Sequence, residues 1–222
     1  METARRCDRA WRCDVIVIDF EASSLDNGFP VSVGIVASDG RMFYAVIKPS
    51  AEWLTNYRWQ YKAQHIHGLE LEYLQQHGRD AAAVVANIRE LFGNAEFACD
   101  SPEYDNAWFT MLVRASGIDF TPTLSSISTR KRLDALFDEL NLTGDARREI
   151  IDMREEMRTH HALSDAAASV AAAETARAWP AGKDLRACRN VIELWKKRVK
   201  IIAIGVEQMA KYRGALNELS KR

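Results

Sequence analysis

The sequence predicts an α/β domain on a mixed five-stranded sheet flanked by helices, with a long helical extension at the C-terminus. Three observations carry this prediction. A β-branched run bounded by charges stands at Asp14–Asp19, an Asp39-Gly40 pair separates two apolar runs, and beyond residue 70 short strand-like runs alternate with capped helical segments. The composition is that of an ordinary globular chain: 222 residues, 47% hydrophobic, 27% charged and 9% aromatic. Disorder and collagen are excluded, and one sizeable core is affordable at this length.

Asp14-Val-Ile-Val-Ile-Asp19 is too short for a helix and reads as a buried central strand. Pro30–Ser38 and Arg41–Pro49 flank Asp39-Gly40, the strongest local signal for a tight antiparallel hairpin. The sheet therefore starts as a three-stranded meander. The aromatic-rich stretch from Ala51 to Gly68 fits no single period. Glu70–Gln76 and Asp80–Phe92 read as helices, the second ending at Gly93, and Glu96–Cys99 as a short strand. Ser101-Pro102-Glu103 opens a helix that runs to Ala115 and stops at Gly117, with Ser as N-cap and Pro at the first helical position. A fifth strand near Leu124–Ile127 precedes helices over Lys131–Leu140, Gly144–Arg158 and Ala162–Trp179.

The organisation that follows is a basic leader over 1–13, a domain over 14–180 and a basic helical extension over 181–222. Residues 183–222 hold eleven Lys and Arg against four acids, so this tail carries +7 and the rest −8 of a net −1. Such a segment attracts a polyanion or neutralises its own body or a second copy. Within it Cys188, Ile192, Trp195, Val199, Ile202, Val206 and Met209 keep 4-3 spacing, and Leu216 regains the phase after Arg213. That is a coiled-coil-like seam, which either packs on its own domain or forms a homodimer. The longest uncharged apolar stretches, such as Ala166–Ala173, fall far short of the roughly 20 residues a bilayer crossing needs. No membrane partner is expected. Arg5, Arg6, Arg9 and Arg12 are followed by no apolar region, and the four cysteines show no CxxC spacing, which suits a cytoplasmic protein with reduced thiols.

The chemistry lies in the carboxylates. Asp19 and Glu21 stand two apart at the end of the first strand, so the period of two points both to one face. Two acids crowded there repel each other unless a cation intervenes, which suggests a divalent ion with oxygen ligands. Asp105 lies about one turn into the helix opened by Ser101-Pro102, and Asp165 in the first turns of the Ala-rich helix. His160 and His161 come just before it. Five residues on a regular helix separate two side chains by about 140°, so His160 shares a site with Asp165 only from the turn ahead of the helix. There it suits a general base, its ordinary pKa lying near neutrality.

The order Val17-Ile-Asp19-Phe-Glu21, then Ser101-Pro-Glu-Tyr-Asp105, then His160-His-Ala162-Leu-Ser-Asp165 resembles the three motifs of the DEDDh family of 3′–5′ exonucleases, over roughly residues 14–177. Ile66-His67-Gly68-Leu69 is similar to a segment often found between the first two motifs. The resemblance implies a ribonuclease H-like fold and two Mg2+ or Mn2+ ions held by Asp19, Glu21, Asp105 and Asp165, with Asp19 as the bridge. His160 then serves as general base toward the attacking water, while His161 points away. Phe20, Ala22, Ser23 and Leu25 correspond to positions that contact the terminal nucleotide, and His67 is placed as structural or near the substrate. The implied partners are the 3′ ends of single-stranded RNA or DNA, possible substrates including short oligonucleotides.

Two departures set the chain on a side branch. Ala22 and then Ser23 follow the first-motif Glu where many members have Thr, and Cys99-Asp100-Ser101-Pro102 replaces His-Asn ahead of the second Asp. Asp100 competes for the second-motif position, but Asp105, preceded by an aromatic residue, matches better. The stretch Tyr57-Arg-Trp59-Gln-Tyr61-Lys62 interleaves aromatics with bases, a pattern used either in a core or to stack on single strands. A proofreading or repair subunit, and a nucleic-acid-binding oligomer without turnover, are the alternatives to a free-standing exonuclease.

Overall fold

The computed structural model describes residues 15–179 together with Asn190, Glu193, Leu194 and Lys197. The expected basic leader lies outside the described residues, as do the seam positions of the extension. The elements run β1 (Ile16–Ala22), β2 (Pro30–Ala37), β3 (Met42–Val46), α1 (Ala51–Asn56), α2 (Tyr61–His67), α3 (Leu71–His77), α4 (Ala81–Phe92), β4 (Glu96–Phe97), α5 (Pro102–Ser116), β5 (Thr123–Leu124), α6 (Thr129–Glu139), α7 (Gly144–Met157) and α8 (Ala162–Ala178). No helix among the described residues is long and apolar enough to cross a membrane.

The meander forms as its pattern dictates. β1 pairs antiparallel with β2 and β2 with β3, and the turn between β2 and β3 carries Gly40 at φ 94, where a side chain would be strained. Asp39 accepts the Arg41 N–H and tightens that turn. β4 and β5 form a separate parallel ladder of two residues each. The expected five-stranded sheet is therefore a three-stranded sheet and a two-stranded one, stitched by a single parallel bridge between Val17 and Ala98. The Ile18 N–H donates to the Ala98 carbonyl, and the Ala98 N–H to that of Ile16. Further pairing stops at Asp100, whose side chain is drawn toward two arginines, and at Pro102, which opens α5.

Each face of the sheet is covered, and β1 shows how two faces are read from one strand. Val15 and Val17 join the core formed with α6, α7 and α8, whereas Ile16, Ile18, Phe20 and Ala22 join the core formed with α4 and α5. Asp19 and Glu21 continue the Val15–Val17 face and so meet α8. On the opposite face Phe109 is fully buried among the rings of Phe20, Phe97 and Phe120, at centroid distances of 5.7, 5.7 and 6.2 Å. Burying such a ring stabilises the fold by about 1.5–3 kcal/mol.

Helix ends follow their capping residues. Ser50, Ser128 and Thr143 accept N–H groups from the first turns of α1, α6 and α7. Gly68 and Gly117 close α2 and α5 in the left-handed conformation. The stretch from Ala51 to Gly68 holds α1 and α2. Trp53 is buried, Tyr57 and Trp59 pack against the core from partial burial, and Tyr61 is exposed.

Candidate active site

Asp19 and Glu21 leave β1 on one face, and Asp165 enters from the first turn of α8. Their carboxylates converge, with one oxygen of each within 4.8 Å of the others. Gly34 makes this possible. It stands opposite Asp19 in the β1–β2 register, and a Cβ there would meet the Leu163 backbone nitrogen at 2.2 Å and the Ala162 carbonyl carbon at 2.3 Å. The missing side chain lets the start of α8 lie directly on β2.

Asp105 reaches the same place from α5. Its carboxylate accepts the Ser101 N–H at 3.0 Å, the Phe20 N–H and the Cys99 thiol hydrogen. The Phe20 N–H is one step beyond the last ladder bond from β1 to Ala98, so Asp105 takes over where the sheet stops. Asp105 is outside the group that falls within 4.8 Å, yet it is the acid acting most strongly on Asp19. Glu21 responds to Asp165 first and to Asp105 last. Asp19 thus feels all three of the other acids.

Crowding and burial hold protons on these groups. Burial first, then Asp105, Glu21 and Asp165, push Asp19 well above the usual carboxylate range. Burial and Asp165 push Glu21 up to about 8, against the pull of Arg158. Burial also pushes Asp105 up to about 7, although its three donors oppose this. A metal-free site of this kind is short of positive charge. The donor set is all oxygen, the choice of a hard divalent cation such as Mg2+ or Mn2+, so the residues present fit the metal ions that the sequence implied.

His160 stands on the turn between α7 and α8, exposed and at φ 55, a left-handed backbone rare outside glycine. The turn is tied to the acids by the Thr159 N–H, which donates to Asp165 Oδ1 at 2.9 Å. The His160 ring itself makes no hydrogen bond to the carboxylates. His161 is the N-cap residue of α8 and stacks on Tyr44 at 4.5 Å.

The remaining sequence candidates have varied surroundings. Phe20 and Ala22 are buried in the core with α4 and α5. The Ser23 hydroxyl donates to the Arg58 carbonyl at 2.7 Å and accepts the Phe29 N–H at 2.9 Å, so it is committed to joining two loops. Leu25 projects at 69% exposure. His67 accepts the Leu69 N–H at Nδ1, and burial lowers its pKa to about 4, which keeps it neutral.

Sequence reasoning missed a charged network beside the acids. Asp100 accepts from the Thr129 hydroxyl, from Arg154 and from Arg158. Asp100 is not among the acids that converge with Asp19, Glu21 and Asp165. Arg158 also approaches Asp165, Nε to Oδ2 at 3.6 Å. The pairs span 54 and 58 residues, so no local pattern announces them.

No family model matches the chain, and no curated protein matches it. Solved structures do. The chain is similar to the zinc-bound form of an E. coli Exonuclease I–ssDNA complex, with TM-score 0.53, 16% identity and coverage of 75% of this chain and 40% of that one. It is similar to E. coli Exonuclease I in complex with a dA16 oligonucleotide (TM-score 0.52, 15% identity, 74% and 40%). A moderately thermophilic Exonuclease I from Methylocaldum szegediense gives TM-score 0.52, 16% identity, 74% and 41%. The chain thus spans about 40% of the length of the structures it matches. At these identities the likeness is one of fold, and it shows that the chain has the ribonuclease H-like α/β fold of these exonuclease structures.

Proposed function

We propose that the chain is a metal-dependent 3′–5′ exonuclease of the DEDDh type, removing nucleoside 5′-monophosphates from single-stranded RNA or DNA. The observation that carries this reading is the convergence of Asp19, Glu21 and Asp165 within 4.8 Å, with Asp105 beside Asp19, on a fold shared with exonuclease structures. Asp19, Glu21, Asp105 and Asp165 would hold two Mg2+ or Mn2+ ions. Such ions lower the pKa of the attacking water and neutralise charge on the leaving 3′ oxygen.

The chain's own residues do the rest. Asp19 stands within reach of Glu21 and Asp165 and feels the charge of Asp105. The Thr159 N–H fixes one oxygen of Asp165, and the Ser101 and Phe20 N–H groups fix Asp105. His160, on its exposed turn ahead of α8, would accept the proton of the water at a ring nitrogen. The activity is assigned to the domain over 14–180. The basic extension over 181–222 is assigned to docking or to a homodimer, and the protein to the cytoplasm.

The test is digestion of 5′-labelled single-stranded RNA and DNA of matched sequence, with Mg2+, with Mn2+ and with chelator, beside Asp19→Asn. A metal-dependent ladder that shortens from the 3′ end and vanishes in the variant is the expected result. Binding without cleavage under every ion would overturn the enzyme and leave a nucleic-acid-binding protein.

A further inference from the structure

Two arginines share the Asp100 carboxylate, and their surroundings differ. Arg154 has a side chain only 3% exposed and every guanidinium nitrogen engaged: Nε with Ser169, Nη1 with Glu155, and Nη2 with Asp100 and Thr129. It is a structural cation that fastens α7 to α8 and α6. With Thr129 it already supplies Asp100 with two donors.

Arg158 is placed otherwise. It follows the last turn of α7, two residues before His160, and its side chain is 27% exposed. Nη1 donates to Asp100 and Nε leans on Asp165, while Nη2 has no protein partner among the described residues. Its charge reaches Asp19 and Glu21 as well. A fixed cation beside a metal centre opposes metal binding, so a purely structural role would be better served farther away. Four carboxylates against two dications leave the centre neutral. Arg158 adds a positive charge beside the centre, offset in part by Asp100, and so favours the negative charge of a phosphodiester.

We infer that Arg158 is a substrate-contacting residue, held by Asp100 so that its guanidinium donates to a non-bridging oxygen of the scissile phosphate. The inference rests on the exonuclease reading of the same acids. A guanidinium suits the task because its planar group holds Nη1 on Asp100 and Nε toward Asp165 and still offers Nη2, which lies between them, to the phosphate. Lysine, a point charge on a flexible stem, cannot hold both.

The experiment compares the full chain with Arg158→Met and Arg158→Lys, after circular dichroism and thermal melting show each variant folded. Mn2+ binding without substrate is followed by the EPR signal of the free ion. Affinity for 5′-UMP and 5′-dTMP in Mn2+, and kcat and KM on the better labelled strand, are then measured. In Arg158→Met, Mn2+ binding is expected to be unchanged or tighter, nucleotide affinity to fall, and kcat/KM to fall roughly ten- to hundredfold. Arg158→Lys should recover only part of the loss. Arg158→Met with kcat/KM within twofold of the parent overturns the inference alone, as does a loss of Mn2+ binding that parallels the loss of rate, the sign of a structural role. A parent chain that cleaves neither strand overturns the exonuclease reading and this contact with it.

Discussion

Without a divalent cation, the folded chain should lose stability as the pH rises from about 4.5 to about 8. The cause is Glu21, whose carboxyl stands at 4.5 when free and at about 8 in the fold. Between those values the native state keeps a proton that the unfolded state has released. The unfolded state binds fewer protons, so the free energy of unfolding falls with increasing pH across that window and levels off above it. At about 1.4 kcal/mol per pH unit the gap corresponds to at most about 5 kcal/mol, and partial solvent access of Glu21 brings this to about 2–3 kcal/mol. Asp105 and Asp19 titrate with each other and deepen the loss without adding to it independently. The assay is urea unfolding at half-unit steps from pH 4.5 to 8.5, once in EDTA and once in Mg2+, on the parent chain and on Glu21→Gln. In EDTA the parent should weaken and Glu21→Gln should weaken less. With Mg2+ at a hundred times its Kd, stability at pH 8 should return by about 2.7 kcal/mol. A parent whose stability in EDTA is flat or rises between pH 5 and 8 would refute the account of these acids as crowded and cation-starved.

Gly34→Ala should cost about 3 kcal/mol or more in urea unfolding and weaken Mn2+ binding, because the new Cβ displaces the start of α8 and Asp165 with it; unchanged Mn2+ affinity would show that α8 is not seated by this contact. Ser23→Ala should cost about 2 kcal/mol by leaving the Phe29 N–H and the Arg58 carbonyl without their partner, and a denaturation midpoint equal to the parent's would contradict this. His160→Gly should relieve about 1 kcal/mol of left-handed strain and raise Tm by a few degrees, while kcat falls about 10²–10⁴-fold. Thermal scans and initial rates on the same preparation check both halves, and a variant as active as the parent removes His160 from the chemistry.

The parts legible in the sequence are those set by local geometry. The period of two on β1 places Asp19 and Glu21 together, because Val15 and Val17 declare which face meets α8. Asp39-Gly40 fixes the hairpin since only a turn of that hand joins twisted strands. The requirement that His160 precede the helix is met by a backbone that turns left-handed there. The opening of α5 is legible at Ser101-Pro102, although the bond there is donated by the Ser101 N–H to the Asp105 carboxylate and does not involve the Ser101 side chain. The unreadable parts depend on distant partners. α1 and α2 show no clear period because each is under two turns long and the aromatics Tyr57 and Trp59, which pack on the core, fall in the link between them. The break between β3-β2-β1 and β4-β5, joined only by the bridge from Val17 to Ala98, depends on pairing between distant segments. Phe20 packs its ring against Phe109, a contact between distant segments that no local pattern announces.

α8 is apolar on nearly every side, with Ala166, Ala167, Ala168, Ala171, Ala172 and Ala173 all buried between the sheet and the two helices behind it. It is also the element that carries Asp165 to acids 144 and 146 residues earlier in the chain. The order of events on a ribosome follows from this. A nascent chain that has emerged through α7 has its hairpin and the α4–α5 layer but lacks the wedge that fills the other face. It therefore has neither a finished core nor Asp165 beside Asp19 and Glu21. Completion of the hydrophobic interior and assembly of the acidic cluster are one folding step.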